Sequence, residues 1–327
     1  MIIKKRGIPL RILILMALLR RLKQNHPKRK QIAEELARRL AGYHGEESLD
    51  FYLNALPEKN WMIFHDLNFS DGEYNYQIDT LMVSPKLALI IDSKYLAAKI
   101  IIDTETEQMI QILDEKEKGY PYPIPQLERL QKFIQKFLLQ HNLPPVPVDY
   151  LIIMTNSYMV LEFRRYNKAV RQRVCKSQSL LHKIGQIEKI YTNELLSAKD
   201  IKKLCKLLLK YNTSPTNSIL RKHGIEKSEF LPGVNCPTCQ CLQMIRKNKQ
   251  WFCRSCGTFS RDAHVLLLQD YFLLIDIKIT NKQFRNFAQI ESPDVSGRLL
   301  RMVNLKSSGI NKGRVYWSDT FPVELLK

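Results

Sequence analysis

Residues 77–94, QIDTLMVSPKLALIIDSK, constrain the fold more than any other stretch of the chain. They contain two runs of strand-forming residues, separated by the Ser-Pro-Lys turn at residues 84–86. Successive side chains point to opposite faces of a strand, so Asp92 and Lys94 share one face, about 7 Å apart along the chain. A hairpin of the two strands can bring Asp79, from the first run, to the same place. The stretch therefore predicts two carboxylates and one lysine that converge on a sheet.

Two carboxylates and a lysine in this arrangement suit metal-dependent hydrolysis of phosphodiester bonds. Carboxylate oxygens hold hard divalent cations, and such a cation lowers the pKa of a bound water and stabilises charge on phosphate. A lysine can orient the attacking water or stabilise the oxyanion that forms. Asp92 directly follows the apolar run 87–91, where an unpartnered charge is costly to desolvate. The alternative is that the charged residues only mark the end of a buried strand.

These residues also carry a family resemblance. Asp79 followed by the triplet Asp92-Ser93-Lys94 resembles the motif of the PD-(D/E)xK nuclease superfamily. More narrowly, roughly residues 40–155 resemble the nuclease-related domain (NERD) of bacterial proteins. The supporting features are Gly45-Glu46 before a predicted helix, Gln77-Ile78-Asp79 on a strand, and Pro125-Gln126 opening a later helix. The resemblance implies an α/β, restriction-endonuclease-like fold, in which helices flank a mixed sheet.

The resemblance also implies roles for single residues. Glu46, Asp79 and Asp92 would hold a catalytic Mg²⁺ or Mn²⁺ ion. Lys94 would position the nucleophilic water, and Gln126 would support the site. The chain departs from the family pattern at Asp92, where we expect glutamate, whose side chain is one methylene longer.

The surroundings of Glu46 and Gln126 leave other roles open. Apolar residues at helical spacing predict a helix over residues 42–56 that opens at Gly45 and places Glu46 on its inward face. There Glu46 could reach the metal or interact with the helix dipole. Gln126 is predicted on the face of Leu130 and Phe133, where it could hold a water or phosphate, or bond a backbone carbonyl.

Charge is unevenly distributed along the chain, whose net charge is +19. Residues 1–40 carry 12 Lys/Arg against 2 Asp/Glu, and residues 201–261 carry the same numbers. Residues 41–120 carry 6 Lys/Arg against 15 Asp/Glu. Basic flanks around an acidic site favour a polyanionic partner, and we predict nucleic acid, specifically DNA. Solvated faces or contact with acidic lipids are the alternatives.

A cluster of basic residues within the predicted core is the candidate phosphate-contacting surface. Its members are Arg164, Arg165, Lys168, Arg171 and Arg173.

Two CxxC pairs, Cys236/Cys239 and Cys253/Cys256, have the spacing of a zinc ribbon. Four thiolates complete a tetrahedral site, so the predicted zinc is structural. Cys241 fits less well as a ligand, and Gly257 permits a tight turn after the second pair. The residues between the pairs mix basic and aromatic side chains, which predicts nucleic-acid binding by Arg246, Lys247, Lys249 and Trp251.

Composition and periodicity divide the chain into five predicted segments. These are a basic N-terminal helical arm (1–40), the nuclease-like core (41–211), a linker (212–230), the zinc ribbon (231–261) and a C-terminal helical, wing-like module (262–327). Residues 99–112 are predicted to continue the core sheet as a further hairpin. In the C-terminal module, two helices and a strand hint at a helix-turn-helix with a wing, and a plain packing module is the alternative.

Bulk properties complete the expectations. No cleavable signal peptide is apparent, and the apolar stretch 12–19 is too short to span a bilayer. These features predict a cytoplasmic, reducing location, where disulfides are not expected. The sequence as a whole predicts a metal-dependent nuclease that hydrolyses DNA. A non-catalytic nucleic-acid-binding protein with the same fold, an RNA-directed nuclease and a protein of the membrane surface are the alternatives.

Overall fold

The computed structural model describes residues 1–57, 60–213, 219–242, 244–303 and 305–318. The chain forms two compact units, of which the first comprises Met1–Gly7 and Leu40–Pro215, and the second Ile8–Arg39 and Thr216–Lys327. Parts of two predicted segments, residues 214–218 of the linker and 319–327 of the C-terminal module, lie outside the described residues. The boundaries of the five segments stay predictions.

The described residues form α-helices and β-strands with the following bounds. The helices are α1 Leu10–Arg21, α2 Arg29–Leu53, α3 Ile124–Gln140, α4 Lys168–Arg173, α5 Leu180–Ile190, α6 Ala198–Tyr211, α7 Ile219–His223, α8 Ala263–Leu274, α9 Asn281–Ala288 and α10 Pro293–Met302. The strands are β1 Ile2–Lys4, β2 Met62–Ser70, β3 Asn75–Val83, β4 Ala88–Lys94, β5 Lys99–Asp103, β6 Gln108–Leu113, β7 Lys116–Tyr120, β8 Val148–Met154, β9 Val160–Arg164, β10 Val174–Lys176, β11 Ile245–Lys247, β12 Gln250–Phe252, β13 Phe259–Ser260, β14 Lys278–Thr280, β15 Lys306–Ser308 and β16 Val315–Trp317.

A six-stranded mixed sheet organises the first unit, with the strand order β1-β2-β3-β4-β8-β10. The strands β2, β3 and β4 pair antiparallel, and β8 lies parallel to β4 and β10. The predicted hairpin of residues 77–94 is confirmed, because β3 and β4 are neighbours joined by the turn at residues 84–87. The first strand, β1, was not predicted from the sequence, because three residues are too few to show the alternation of side chains that is typical of a strand.

Apolar residues cover both faces of this sheet. On one face α3 and α6 contribute Leu127, Ile134 and Leu204 to a core with Leu81 and Ile90. On the other face, α2 and α5 pack Leu49 and Ile184 against Met82, Leu89 and Ile91. The central strand β8 is buried along its whole length, as the apolar run 150–154 predicts. The first unit therefore has the predicted α/β architecture, a mixed sheet flanked by helices.

A second sheet of the first unit corrects one prediction. Residues 99–112 do form a hairpin, β5 and β6, but it belongs to a separate four-stranded sheet of order β7-β6-β5-β9. Its parallel partner is β9, which pairs Lys99 with Val160. Local alternation predicts a hairpin without indicating which sheet it joins, because that depends on pairing between distant residues.

The second unit contains two small three-stranded sheets, of orders β11-β12-β13 and β14-β16-β15. Capping boxes begin α6 at Ser197 in the first unit and α9 at Thr280 in the second. In the second unit, α8, α9 and α10 enclose a core that includes Leu267, Phe284 and Leu300. No helix within the described residues is both long and apolar enough to cross a membrane.

A buried ionic cluster joins α1 to α8 inside the second unit. Asp270 is fully buried and accepts from Arg20 Nη2 at 2.6 Å and from Arg21 Nε at 2.7 Å. Arg21 is itself fully buried and also donates to the carbonyl of Gly233 at 2.6 Å. Loss of Asp270 would therefore leave the charges of Arg20 and Arg21 without this counterion.

We expect Asp270→Ala to destabilise the second unit by about 3–5 kcal/mol, because it leaves the buried Arg21 guanidinium without a counterion. Glu291→Ala removes an exposed carboxylate from the same unit and should change stability by less than about 0.5 kcal/mol. Urea denaturation of the full chain, followed by tryptophan fluorescence, measures both. Equal midpoints for the two variants would contradict the assigned importance of the cluster.

Candidate active site

Asp79 and Asp92 lie where the pairing of β3 and β4 ends. The ladder joins Leu81 to Ile90 and Thr80 to Ile91, so the two aspartates are the next residues on their strands. Asp92 is buried, and the backbone N–H of Ser93 donates to Asp79 Oδ2 at 3.2 Å. The structure thus brings the two predicted carboxylates together, as the period of the strands requires.

Lys94 is ion-paired with Asp92. Its Nζ lies 2.9 Å from Oδ1 and 2.8 Å from Oδ2 of Asp92, and only the contact with Oδ1 has hydrogen-bond geometry. Among the described residues, the buried Oδ2 atom has no hydrogen-bond donor. One lone pair of Asp92 therefore remains for a further ligand.

Glu46 reaches the same region from α2, but not from the start of a helix. The predicted helix opening at Gly45 is wrong, because α2 begins at Arg29 and Gly45 lies in its interior. A Cβ atom at Gly45 would lie 2.5 Å from Thr155 Oγ1 and 3.0 Å from Tyr95 Cβ. The glycine is therefore explained by a close approach of the helix to the end of β4, and not by a helix terminus.

We expect Gly45→Ala to destabilise the first unit by about 1–3 kcal/mol through overpacking, although alanine favours a helix. The double change Gly45→Ala, Thr155→Ala should recover part of the loss, since it removes the closest atom. Gly42→Ala, in the same helix but with open space at the Cβ position, should be neutral or stabilising by about 1 kcal/mol. Thermal unfolding of the three variants measures this, and a stabilised Gly45→Ala chain would contradict it.

Arg6 is the main partner of Glu46, and this role was not predicted from the sequence. Its Nη1 lies 2.8 Å from Glu46 Oε2, and its Nη2 lies 3.1 Å from Asp50 Oδ1 and 3.2 Å from Thr80 Oγ1. The side chain is almost fully buried, at 4% exposure. The sequence places Arg6 in the basic N-terminal helical arm, and nothing in its spacing distinguishes it from the other basic residues there.

The three carboxylates disfavour one another's ionised forms. Burial raises the pKa of Asp79 well above its ordinary value, and the charges of Asp92 and Glu46 raise it further. Burial raises the pKa of Glu46 to about 7, against the opposing charge of Arg6. Burial also raises the pKa of Asp92, and Lys94 opposes this shift. A divalent cation relieves this repulsion and favours the ionised carboxylates.

Lys94 remains an ammonium ion in this setting. Burial acts to lower its pKa, but Asp92, then Asp79 and Glu46, outweigh burial and raise it above the ordinary value. In its ammonium form, the lysine can stabilise negative charge and orient a water.

The donor set fits a hard divalent cation. All three acidic side chains offer carboxylate oxygens, the ligands that Mg²⁺ and Mn²⁺ prefer, and Asp92 Oδ2 is buried without a hydrogen bond from the described residues. Lys94 and Arg6 supply the present countercharge to Asp92 and Glu46. Within the described residues, only four cysteines bring three or more metal-ligating side chains close enough to share one ion, so the acidic side chains fit a cation by their chemistry and not as a preformed cage.

Gln126 was predicted to lie on the buried face of α3, and this prediction is wrong. The buried residues of this helix are Leu127, Leu130, Ile134, Phe137 and Leu138, whereas Gln126 is exposed. No side-chain hydrogen bond joins Gln126 to a described residue. Gln131 instead donates to the carbonyl of Val148. The buried stripe of α3 contains Leu127, and Gln126 lies outside it.

Several residues of the predicted basic surface are already ion-paired. Arg164, Arg165 and Arg173 lie 3.6, 2.9 and 3.2 Å from Asp103, Glu105 and Asp149, respectively. Lys168, Arg171, Arg173 and Lys183 line a cleft of about 500 Å³ together with Tyr166 and Tyr191. The guanidinium of Arg171 lies 5.3 Å from the centre of the Tyr166 ring. The cleft thus combines positive charge with aromatic faces.

The four predicted zinc ligands are gathered in the second unit. All sulfur atoms of Cys236, Cys239, Cys253 and Cys256 lie within 4.8 Å of one another. The Cys236–Cys256 and Cys239–Cys253 sulfur distances are 3.6 and 3.5 Å, close to the ~3.8 Å edge of a tetrahedron with 2.3 Å metal–sulfur bonds. Cys241 is not part of the group, and Gly257 adopts the turn conformation with a φ of 74°.

Trp251 corrects part of the predicted nucleic-acid surface. It is 1% exposed and packs in the core with Cys253 and Leu267, so its ring is not available for stacking on a base. Arg246 lies over this ring at 5.0 Å, while Lys247 and Lys249 are exposed. Composition predicts a mixture of aromatic and basic residues, but it does not indicate which of them is buried.

A mixed α/β sheet whose central hairpin carries clustered carboxylates and a lysine defines a nuclease-like domain. Residues 41–155 match the family model of the nuclease-related domain, NERD. The chain therefore contains a nuclease-related domain, as the motif of Asp79, Asp92 and Lys94 predicted. No curated protein and no solved structure shows a significant match to the chain.

Proposed function

We propose that the chain is a metal-dependent nuclease that hydrolyses the phosphodiester bonds of DNA. The observation that carries the proposal is the convergence of Asp79, Asp92, Lys94 and Glu46 inside the matched domain. The raised pKa values of Asp79 and Glu46 support it, because clustered buried carboxylates are otherwise costly.

Each side chain has a defined task in the proposed reaction. Asp79, Asp92 and Glu46 would hold a Mg²⁺ or Mn²⁺ ion, which would supply a bound water of lowered pKa and charge stabilisation at the phosphate. Lys94 stays protonated, so it orients the attacking water and donates to the oxygen that gains negative charge. Arg6 holds Glu46 in place through an ion pair of 2.8 Å. Gln126 is exposed, so in this proposal it supports the site only by contacting the bound substrate.

Positively charged residues are proposed to hold the substrate. Lys168, Arg171 and Arg173 present charge around the cleft, and Tyr166 offers an exposed aromatic face. In the ribbon, Arg246, Lys247 and Lys249 contact phosphates, and zinc bound by the four cysteines holds the ribbon together.

A non-catalytic nucleic-acid-binding protein is the second candidate, and one observation favours it. Asp92 and Glu46 already have internal counterions in Lys94 and Arg6, so their charges are compensated without a metal. The shorter side chain of Asp92 also reaches less far than the expected glutamate.

Cleavage assays with the purified full chain distinguish the candidates. The substrates are supercoiled plasmid, linear duplex DNA, single-stranded DNA and RNA, each with Mg²⁺, with Mn²⁺ or without a divalent ion. We expect plasmid nicking that requires the added metal. Cleavage of RNA alone would assign the substrate to RNA, and no cleavage under any condition would favour the non-catalytic candidate.

A further inference from the structure

The order of elements at the C-terminal end of the second unit indicates a nucleic-acid-binding module. Helix α8 is followed by β14, the helices α9 and α10, and the hairpin of β15 and β16. In the sheet of order β14-β16-β15, the hairpin returns to pair with β14. Two consecutive helices are thus held against a small antiparallel sheet.

Helices α9 and α10 form a helix-turn-helix pair. Residues 289–292 connect them, and Gln289 closes α9 in the left-handed conformation with a φ of 55°. Asn281 Nδ2 donates to the carbonyl of Pro293 at 3.0 Å, and a Cβ atom at Gly297 would lie 3.5 Å from the same amide nitrogen. A short turn and a close helix crossing are the features that define this motif.

The outward face of α10 carries unpaired positive charge. Ser296, Gly297, Leu299 and Leu300 are buried, whereas Asp294, Arg298, Arg301 and Met302 are exposed. The exposed residues recur at helical spacing and form a single stripe. Neither Arg298 nor Arg301 has an acidic partner among the described residues.

The hairpin after α10 extends this basic surface. Residues 293–314 contain five Lys/Arg and one Asp/Glu. The strand β15, Lys306–Ser308, is exposed along its length. Gly309 has a φ of 81°, and a Cβ atom there would lie 2.7 Å from the carbonyl oxygen of Gly313, so the hairpin depends on glycine for its tight loop.

We propose that α10 is a recognition helix that enters the major groove of duplex DNA, with the β15–β16 hairpin on the adjacent backbone. The major groove of B-form DNA admits a helix, and the guanidinium groups of Arg298 and Arg301 can read guanine edges in pairs of hydrogen bonds. The deep, narrow major groove of duplex RNA does not admit a helix. The stripe is charged, with Met302 as its single apolar member, which suits DNA better than an apolar protein partner.

The test uses the full chain with Asp79→Ala, so that the DNA survives whether or not the wild-type chain cleaves it. The probe is a pool of DNA duplexes with a randomised centre, from which bound molecules are selected and sequenced. In this background, the arginine variant carries both Arg298→Ala and Arg301→Ala. The control, the lysine variant, carries both Lys28→Ala and Lys30→Ala, and it removes the same charge from exposed positions of the same unit. Circular dichroism verifies that each variant is folded.

We expect the parent chain to enrich a sequence motif, and the arginine variant to lose the motif with at least about tenfold weaker binding of the selected duplex. The lysine variant should keep the motif. Arg298→Lys with Arg301→Lys should lose the motif while retaining the charge, because lysine lacks the planar fork.

Three results would overturn the proposal: no enriched motif, an arginine variant that binds as tightly as its parent, or equal competition by duplex RNA. The proposal is independent of the proposed cleavage. The two proposals fail separately, because the selection uses the Asp79→Ala chain and the cleavage assays use the wild-type chain.

Discussion

Asp79→Ala is expected to lower the rate of plasmid cleavage by about a thousandfold or more. Asp79 is half-buried next to Asp92 and shares with it the negative potential that would hold a divalent ion. Metal ions contribute several kcal/mol to the stabilisation of a transition state, and each 1.36 kcal/mol is tenfold in rate. The variant should also bind Mn²⁺ more weakly, which calorimetry measures, while DNA binding through the basic surfaces persists.

Substitution of Lys94 should affect the reaction without affecting metal binding. Lys94→Ala should leave Mn²⁺ binding largely intact, since an ammonium is not a ligand, and should slow the chemical step. Asp92→Glu should retain or raise activity, because it restores the residue that the family pattern leads us to expect. Asp276→Ala, an exposed carboxylate in the second unit, is the matched control and should cleave normally.

The opposite outcome is equally informative. If Asp79→Ala and Lys94→Ala both cleave at the wild-type rate, the active site is elsewhere and the proposed assignment is wrong.

The central part of this site was predictable because it depends on local periodicity. Alternation along residues 77–94 places Asp92 and Lys94 on one face, and the Ser-Pro-Lys turn requires that β3 and β4 be neighbours. The same reasoning holds for the capping boxes and for the cysteine pairs, whose ligands are close in sequence. In each case a few neighbouring residues determine the geometry.

What could not be predicted depends on contacts between distant residues. Arg6 reaches Glu46 across 40 positions, and Gly45 is needed because Thr155 lies against α2. Both residues are ordinary in sequence, one in a basic segment and the other in a helix that it does not terminate. Burial of Trp251 belongs to the same class, since it follows from packing against α8.

Removal of the metal from the cysteine cluster is the second change with a large expected effect. The ribbon has only three short strands, β11, β12 and β13, and Cys236 and Cys253 lie in the same core as Trp251. A small module of this kind takes much of its folding free energy from its zinc, on the order of 10 kcal/mol in isolated zinc-binding peptides. Loss of the metal should therefore expose this part of the second unit.

We expect metal analysis to find about one zinc per chain, because four cysteines complete one tetrahedral site. Cys236→Ser with Cys253→Ser should lose the zinc and the protection of residues 234–260 from hydrogen exchange. Cys205→Ser with Cys241→Ser is the matched control, because neither residue belongs to the cluster, and it should retain both. Metal analysis reports the zinc content, and amide hydrogen exchange read by mass spectrometry reports the protection, both on the full chain. A zinc-free chain in which residues 234–260 remain protected would show that packing of Trp251 and Leu267, and not the metal, holds the ribbon together.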